Sequence, residues 1–164
     1  VAAIVACFGN VLRGDDGFGS AVAERLLAVG LPAGVSVLEV GIGGIHLVQE
    51  LMPGAEVLIV VDAVDLGRPA GTVVVQRPDV LDVAALSPDR RRDELADMHL
   101  ATPEKALMVA RALGVLPETT LVVGVQTTDT DRVGQGLSAA TARAVDVAVA
   151  EVGRLLAEHV VSGG

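Results

Sequence analysis

Apolar residues run without a break from Val1 to Phe8, the length of a strand and greasy on both faces, as a strand inside a parallel sheet must be. A glycine-rich segment, Gly9 to Gly19, follows. Phe18, Val22, Leu26 and Val29 then recur at helical spacing until Leu31-Pro32-Ala33-Gly34 ends the pattern, which predicts a first helix starting near Gly17. Val35 to Val40 reads as a second strand, Ile45 to Met52 as a short helix closed by Pro53-Gly54, and Glu56 to Val61 as the most apolar strand of the chain, ending at Asp62. Beyond the Gly67-Arg68-Pro69-Ala70-Gly71 turn, Thr72 to Arg77 forms a strand reached without an intervening helix, and so short a connection predicts an antiparallel edge strand. Asp79 to Met98 is charged and irregular, with Ser87-Pro88 placed to start a short helix. A helix from Thr102-Pro103 follows, turning Leu107, Ala110 and Leu113 inward until Gly114; Leu121 to Val125 is the last strand, and Ser138 caps a final helix running to about Val160. The alternation predicts an α/β fold in one domain over residues 1–164. It is a three-layer sandwich whose mostly parallel, twisted sheet of about five strands, one an antiparallel edge strand, carries helices on both faces.

Hydrophobic residues make up 51% of the chain and aromatic residues only 1%, so the core is built from Val, Leu, Ile and Ala, and stacking on bases or sugars is disfavoured. A net charge of −9 argues against nucleic-acid binding, which needs clustered Lys and Arg to meet phosphates. The one basic run, Arg90-Arg91-Arg92, is followed at once by Asp93-Glu94 and reads as a solvated helix face. Cys7 is the only cysteine and sits in the first apolar run, so it reads as a core thiol. No apolar stretch approaches the roughly 18 residues that span a bilayer, and no signal-peptide pattern is present; a cytoplasmic protein without a membrane partner is expected.

Chemistry is concentrated in the loop after the first strand. Gly9 and Gly14 carry the glycine spacing of a phosphate-binding loop, yet Asp15-Asp16 stands where that motif requires Lys and Ser or Thr. Two carboxylates beside a helix N-terminus repel phosphate and favour a cation, although one of them can equally serve as the helix cap. In parallel sheets ligands gather beyond the carboxyl ends of the strands. Asp16 follows strand one, Asp62 follows strand three and His99 precedes a helix, so all three can meet at that edge. Together they form a mixed oxygen and nitrogen set suited to nickel, zinc, manganese or iron. Taken singly, Asp62 also fits a strand-end residue bonding nearby amides, and His99 a surface histidine. His46 and His159, inside one helix and at the end of another, read as structural.

Other enzyme classes lack their signatures. There is no Gly-x-Ser-x-Gly elbow, Cys7 has no cue for a lowered pKa, and neither Gly41-x-Gly43 nor Gly17-x-Gly19 reaches a third dinucleotide-binding glycine, so no nucleotide is expected.

Phe8-Gly9-Asn10-Val11-Leu12-Arg13-Gly14-Asp15-Asp16-Gly17-Phe18-Gly19, then Val60-Val61-Asp62-Ala63, His99 before a helix, and Gly136-Leu137-Ser138 together resemble the maturation endopeptidases of nickel-iron hydrogenases. The resemblance runs over nearly the whole chain. It implies an α/β sheet with flanking helices and an endopeptidase that removes the C-terminal extension of the hydrogenase large-subunit precursor after nickel insertion. It places the metal-binding and catalytic residues on Asp16, Asp62 and His99. The metal it implies is nickel carried mainly by the precursor, for which zinc or cadmium could substitute in the isolated protein. A substrate-recognising acidic residue after strand two maps onto Glu39, where the chain has Glu39-Val40-Gly41-Ile42-Gly43-Gly44 in place of an Asp-Gly-Gly-Thr-like stretch. The alternative reading is a noncatalytic nickel-sensing chaperone or adaptor that binds the precursor and leaves it intact.

Overall fold

The computed structural model describes residues 2–8, 16–40, 44–96, 103–127 and 139–160, with the side chains of residues 16, 95 and 96 outside that description. Five strands, β1 (Ala3–Phe8), β2 (Val35–Val40), β3 (Val57–Val64), β4 (Val73–Gln76) and β5 (Thr119–Gln126), form one sheet in the order β2-β1-β3-β5-β4. The first three and β5 are parallel; β4 is the antiparallel edge, hydrogen-bonded to β5 and not to β3, the strand before it in sequence. All six residues of β1 are buried, as its unbroken apolar run requires.

Helices α1 (Asp16–Val29) and α5 (Ala139–His159) cover one face, and α2 (Ile45–Leu51) and α4 (Pro103–Ala112) the other. Strand alternation divides the core accordingly. Val5, Cys7, Ile59, Val61 and Val123 pack against Phe18, Val22 and Leu26 of α1 and Ala148 and Val152 of α5. Ile4, Ala6, Phe8, Leu58 and Val60 pack against Leu47 and Leu51 of α2 and Ala106 and Ala110 of α4. Burying each large aliphatic chain contributes about 1.5–3 kcal/mol, and this sum replaces the aromatic stacking that the composition lacks. Among the described residues no helix is long and apolar enough to cross a membrane.

One sequence expectation is corrected here and two gain detail. Leu113 does not face inward: α4 ends at Ala112, Gly114 takes φ +72° to turn the chain, and Leu113 is left 56% exposed on that turn. Within residues 79–96 the expected short helix is present as α3 (Pro88–Ala96), and a 3₁₀ turn (Val83–Ala85) that the sequence pattern did not foresee precedes it. Arg91 lies on the exposed face expected of the basic run and is also tethered there. Its Nε donates to the Val83 carbonyl at 3.2 Å and its Nη2 to the Ala84 carbonyl at 3.1 Å, tying α3 to the 3₁₀ turn. The predicted start of α3 is present, with the Arg90 amide donating to Ser87 Oγ at 3.4 Å.

β4 enters the sheet through a bulge. Gly71 N donates to the Gln126 carbonyl at 2.8 Å while Gln126 N donates to the Thr72 carbonyl at 2.9 Å, so two residues oppose one. Gly71 has φ +86°, and a Cβ there would lie 2.8 Å from the Ala140 carbonyl oxygen at the start of α5. Gly54 has φ +99°, but a Cβ there would meet nothing within 4 Å, so the two glycines separate backbone strain from crowding. Gly54→Ala should cost about 1 kcal/mol and Gly71→Ala about 3 kcal/mol in urea unfolding. Equal costs would show that the approach of α5 to the bulge is not what requires glycine.

Candidate functional site

β1 connects through α1 to β2 on one side of it, whereas its other neighbour, β3, leads on toward β4 and β5. The strand order therefore reverses between β1 and β3, and the crevice beyond their carboxyl ends is where open parallel sheets bind ligands. Pairing makes one wall of this crevice taller than the other. β1 ends at Phe8, one residue past the Cys7↔Val61 pair, while β3 and β5 stay paired through Asp62↔Gly124, Ala63↔Val125 and Val64↔Gln126.

Asp62 thus lies inside β3, two residues before its end, rather than after the strand. It is half-buried, and alternation from Leu58 and Val60 turns it toward the α4 face. There it lines a cavity of about 440 Å³ between the sheet and α4, together with Val64, Val122, Pro103, Leu107 and Met108. The glycine opposite Asp62 belongs to the same design: a Cβ on Gly124 would stand 3.0 Å from both methyls of Val64 and crowd the end of β3. Glu94 of α3 and Lys105 of α4 also border the cavity and are joined at 3.1 Å, each about 30% exposed (32% and 27%).

The loop after β3 is held by a residue that the sequence pattern did not single out. Gln126, 6% exposed, accepts on Oε1 from the amides of Leu66 (2.7 Å) and Arg68 (3.3 Å). Its Nε2 donates to Asp65 Oδ1 at 3.2 Å and to the Thr127 carbonyl at 3.1 Å. A lone amide closing an apolar strand was the available signal, since a polar group buried at a strand end needs partners.

The remaining candidates fall as follows. Asp16 is the first residue of α1, which puts its backbone at the carboxyl-end side of β1; its side chain, like Asp15 and His99, lies outside the described residues. His99 precedes by four positions Pro103, the first residue of α4 and part of the cavity lining. Among the described residues no three His, Cys, Asp or Glu side chains gather to hold a metal ion. Glu39 is exposed on the edge strand β2, in register with Cys7, and alternates with Leu38 and Val40 onto the α1 face, away from the cavity beside Asp62. Cys7 is buried, and desolvation, with a smaller push from the Glu39 carboxylate, raises its thiol to about 12, which removes it as a nucleophile at neutral pH. His46 is exposed on α2 with Nε2 3.5 Å from Glu50 Oε1, and His159 ends α5 with Nε2 3.9 Å from Glu158 Oε2.

A profile of the hydrogenase maturation protease family (HycI) matches residues 20–154, a span that holds Glu39, Asp62 and His99 and begins just after Asp16. The hydrogenase expression/formation protein HupD of Rhodobacter capsulatus is 34% identical over 154 residues, 93% of this chain and 70% of that one. Among solved structures, a hydrogenase 2 maturation peptidase from a Thaumarchaeota archaeon superposes with a TM-score of 0.66 and 29% identity, covering 96% of this chain and 99% of that one. The hydrogenase maturating endopeptidase HybD from E. coli shares the fold at a TM-score of 0.71 and 24% identity, with 96% and 93% covered.

Two outcomes follow from the site's surroundings. The raised thiol of Cys7 loses a proton more readily once unfolded, so its contribution to stability is whole below pH 9.0 and is lost as the pH climbs toward 12. Cys7→Ala should flatten that part of the stability profile, and the native thiol should resist alkylation at pH 8 until the protein unfolds. Gln126→Ala leaves the Leu66 and Arg68 amides without their acceptor; we expect a loss of about 1–3 kcal/mol and faster thermolysin cleavage at Leu66. Unchanged cleavage would show that the loop is held by something else.

Proposed function

The chain belongs to the hydrogenase maturation protease family, and from that premise we propose that it removes the C-terminal extension of a nickel-iron hydrogenase large-subunit precursor once nickel has been inserted. The observation that carries the proposal is Asp62, a carboxylate built into a central strand at the switch crevice, where ordinary core packing would place another Val or Ile. A half-buried carboxylate beside an apolar cavity carries a desolvation cost that an aliphatic residue in its place would not, and it puts a metal-ligating group at the carboxyl end of the sheet.

In this proposal Asp16, Asp62 and His99 fill open positions on nickel that the precursor already carries. Two carboxylates and an imidazole suit a divalent first-row metal, and three ligands drawn from three separate segments need not form a tight cage on their own. Nickel is then part of the substrate. Its presence completes the docking surface, so a precursor without it engages poorly, and the metal charge is available to orient or polarise the scissile carbonyl. The family's protease activity sets the outcome apart from an adaptor that would hold the precursor and leave it whole.

Mass measurement after incubation tests the proposal directly. Nickel-loaded precursor should lose its extension, and nickel-free precursor should stay intact. Asp62→Asn should slow processing by about a hundredfold or more, in keeping with the cost of disturbing metal ligation, while the melting temperature moves by no more than a few degrees. Equal processing of loaded and unloaded precursor in strong chelator would contradict the nickel requirement; a bound but intact precursor would contradict the protease assignment for this chain.

A further inference from the structure

The cavity beside Asp62 is larger than a carboxylate needs and mostly apolar. Its floor is the β3, β5 and β4 surface, at Val64, Val122 and Gln76, and α4 supplies Leu107 and Met108 as one wall. The facing wall comes from Val80 and Leu81, with Leu66 from the loop held by Gln126. Leu66 and Leu81 are 45% and 40% exposed, so the apolar lining continues out onto the surface instead of closing over. Polar groups sit on the rim, and their charge is one-sided. Asp62, Asp79, Glu94 and Glu104 border the cavity with Lys105 as the cation among its lining residues, and Lys105 is already joined to Glu94 at 3.1 Å.

Size and direction select the occupant. An extended chain in a sheet-like setting takes roughly 160 Å³ per residue, from a strand spacing near 4.8 Å, a layer depth near 10 Å and a rise near 3.3 Å. A space of about 440 Å³ therefore admits about three extended residues and excludes a folded element. The cavity leads from Asp62 toward β4, away from β1 and the switch crevice. A folded precursor presenting its metal to the crevice has one part free to enter as a single chain, the extension that is to be removed.

We infer that this cavity is the subsite for the first residues of the extension beyond the scissile bond, that it takes about three of them, and that it reads them as apolar and free of acidic side chains. This rests on the processing reading above. Apolar side chains gain the lining of Leu66, Val80, Leu81 and Met108, while a carboxylate on the occupant meets the exposed carboxylates of Asp79 and Glu104 on the rim, whose like charge solvent weakens and does not cancel. Selection against acidic residues is thus as much a part of the site as the apolar contact.

An aspartate scan of the precursor tests this without altering the protein. Nickel-loaded precursors carrying Asp at each of the first six extension positions are digested by the unaltered chain, and KM and kcat are measured separately. About three successive positions should raise KM tenfold or more with kcat held within about twofold, and Leu81→Lys or Leu66→Lys should recover most of that loss for the Asp-bearing precursor at one of them. Both leucines are partly exposed, and melting curves check that the lysine variants fold. Asp tolerated at every position, or a loss that neither lysine relieves, overturns the inference alone. Failure to cleave the unaltered precursor overturns the processing reading and the inference with it.

Discussion

The structure depends on the pairing of β1 with β3, two strands that neighbour each other in space although β2 separates them in the chain. Both are buried where they pair, so their register is fixed by aliphatic packing on two faces at once. A slip of one residue would exchange those faces. Ile59 and Val61 would leave the α1 and α5 side, and Asp62 would swing from the cavity beside α4 into the opposite core. The same pairing makes the strand order reverse, and with it comes the crevice beyond the carboxyl ends of β1 and β3. Fold and site are consequences of one register.

Around that register the polar groups are few and individually placed. Gln126 satisfies two loop amides and finds acceptors for its own NH₂ group, so an amide can be buried at the end of an otherwise apolar strand. Gly124 keeps the floor beside Asp62 clear and lets Val64 extend the strand past the end of β1. Burial suppresses Cys7 as a thiolate, which leaves the carboxylate of Asp62 as the chemistry that the described ends of β1 and β3 offer. The net charge of −9 fits this economy: acidic residues at the site favour cationic cargo and disfavour phosphate.

Strand and helix periodicity was enough to read the α/β architecture, the antiparallel edge strand and the location of the described helices, because long apolar runs and 3.6-residue repeats are local properties of the chain. What it missed was set by tertiary contacts. Nothing in Thr72 to Arg77 says that β5 will insert between β3 and β4. Asp62 looked like a strand's end because the apolar run stops there, whereas pairing with β5 carries the strand two residues further. Arg91 sits in a run of charge that composition reads as solvated, and only the folded 3₁₀ turn supplies the carbonyls it binds. Leu113 has the spacing of a core residue but falls on the turn that ends α4. Of the proposed ligands, Asp62 lies in β3 two residues before its end, beside the cavity under α4, and the backbone of Asp16 lies at the carboxyl-end side of β1, while His99 lies outside the described residues.

The central claim is that this chain meets nickel on the precursor through its own oxygen and nitrogen ligands. X-ray absorption at the nickel edge, recorded on loaded precursor alone and then with a cleavage-impaired Asp16→Asn chain or the parent chain held at low temperature, reads that contact without relying on turnover. The account predicts that the parent chain adds light-atom scattering at about 2 Å to the nickel shell and that the variant adds less. A nickel spectrum unchanged by the parent chain, in a mixture that goes on to process the precursor when warmed, would contradict it.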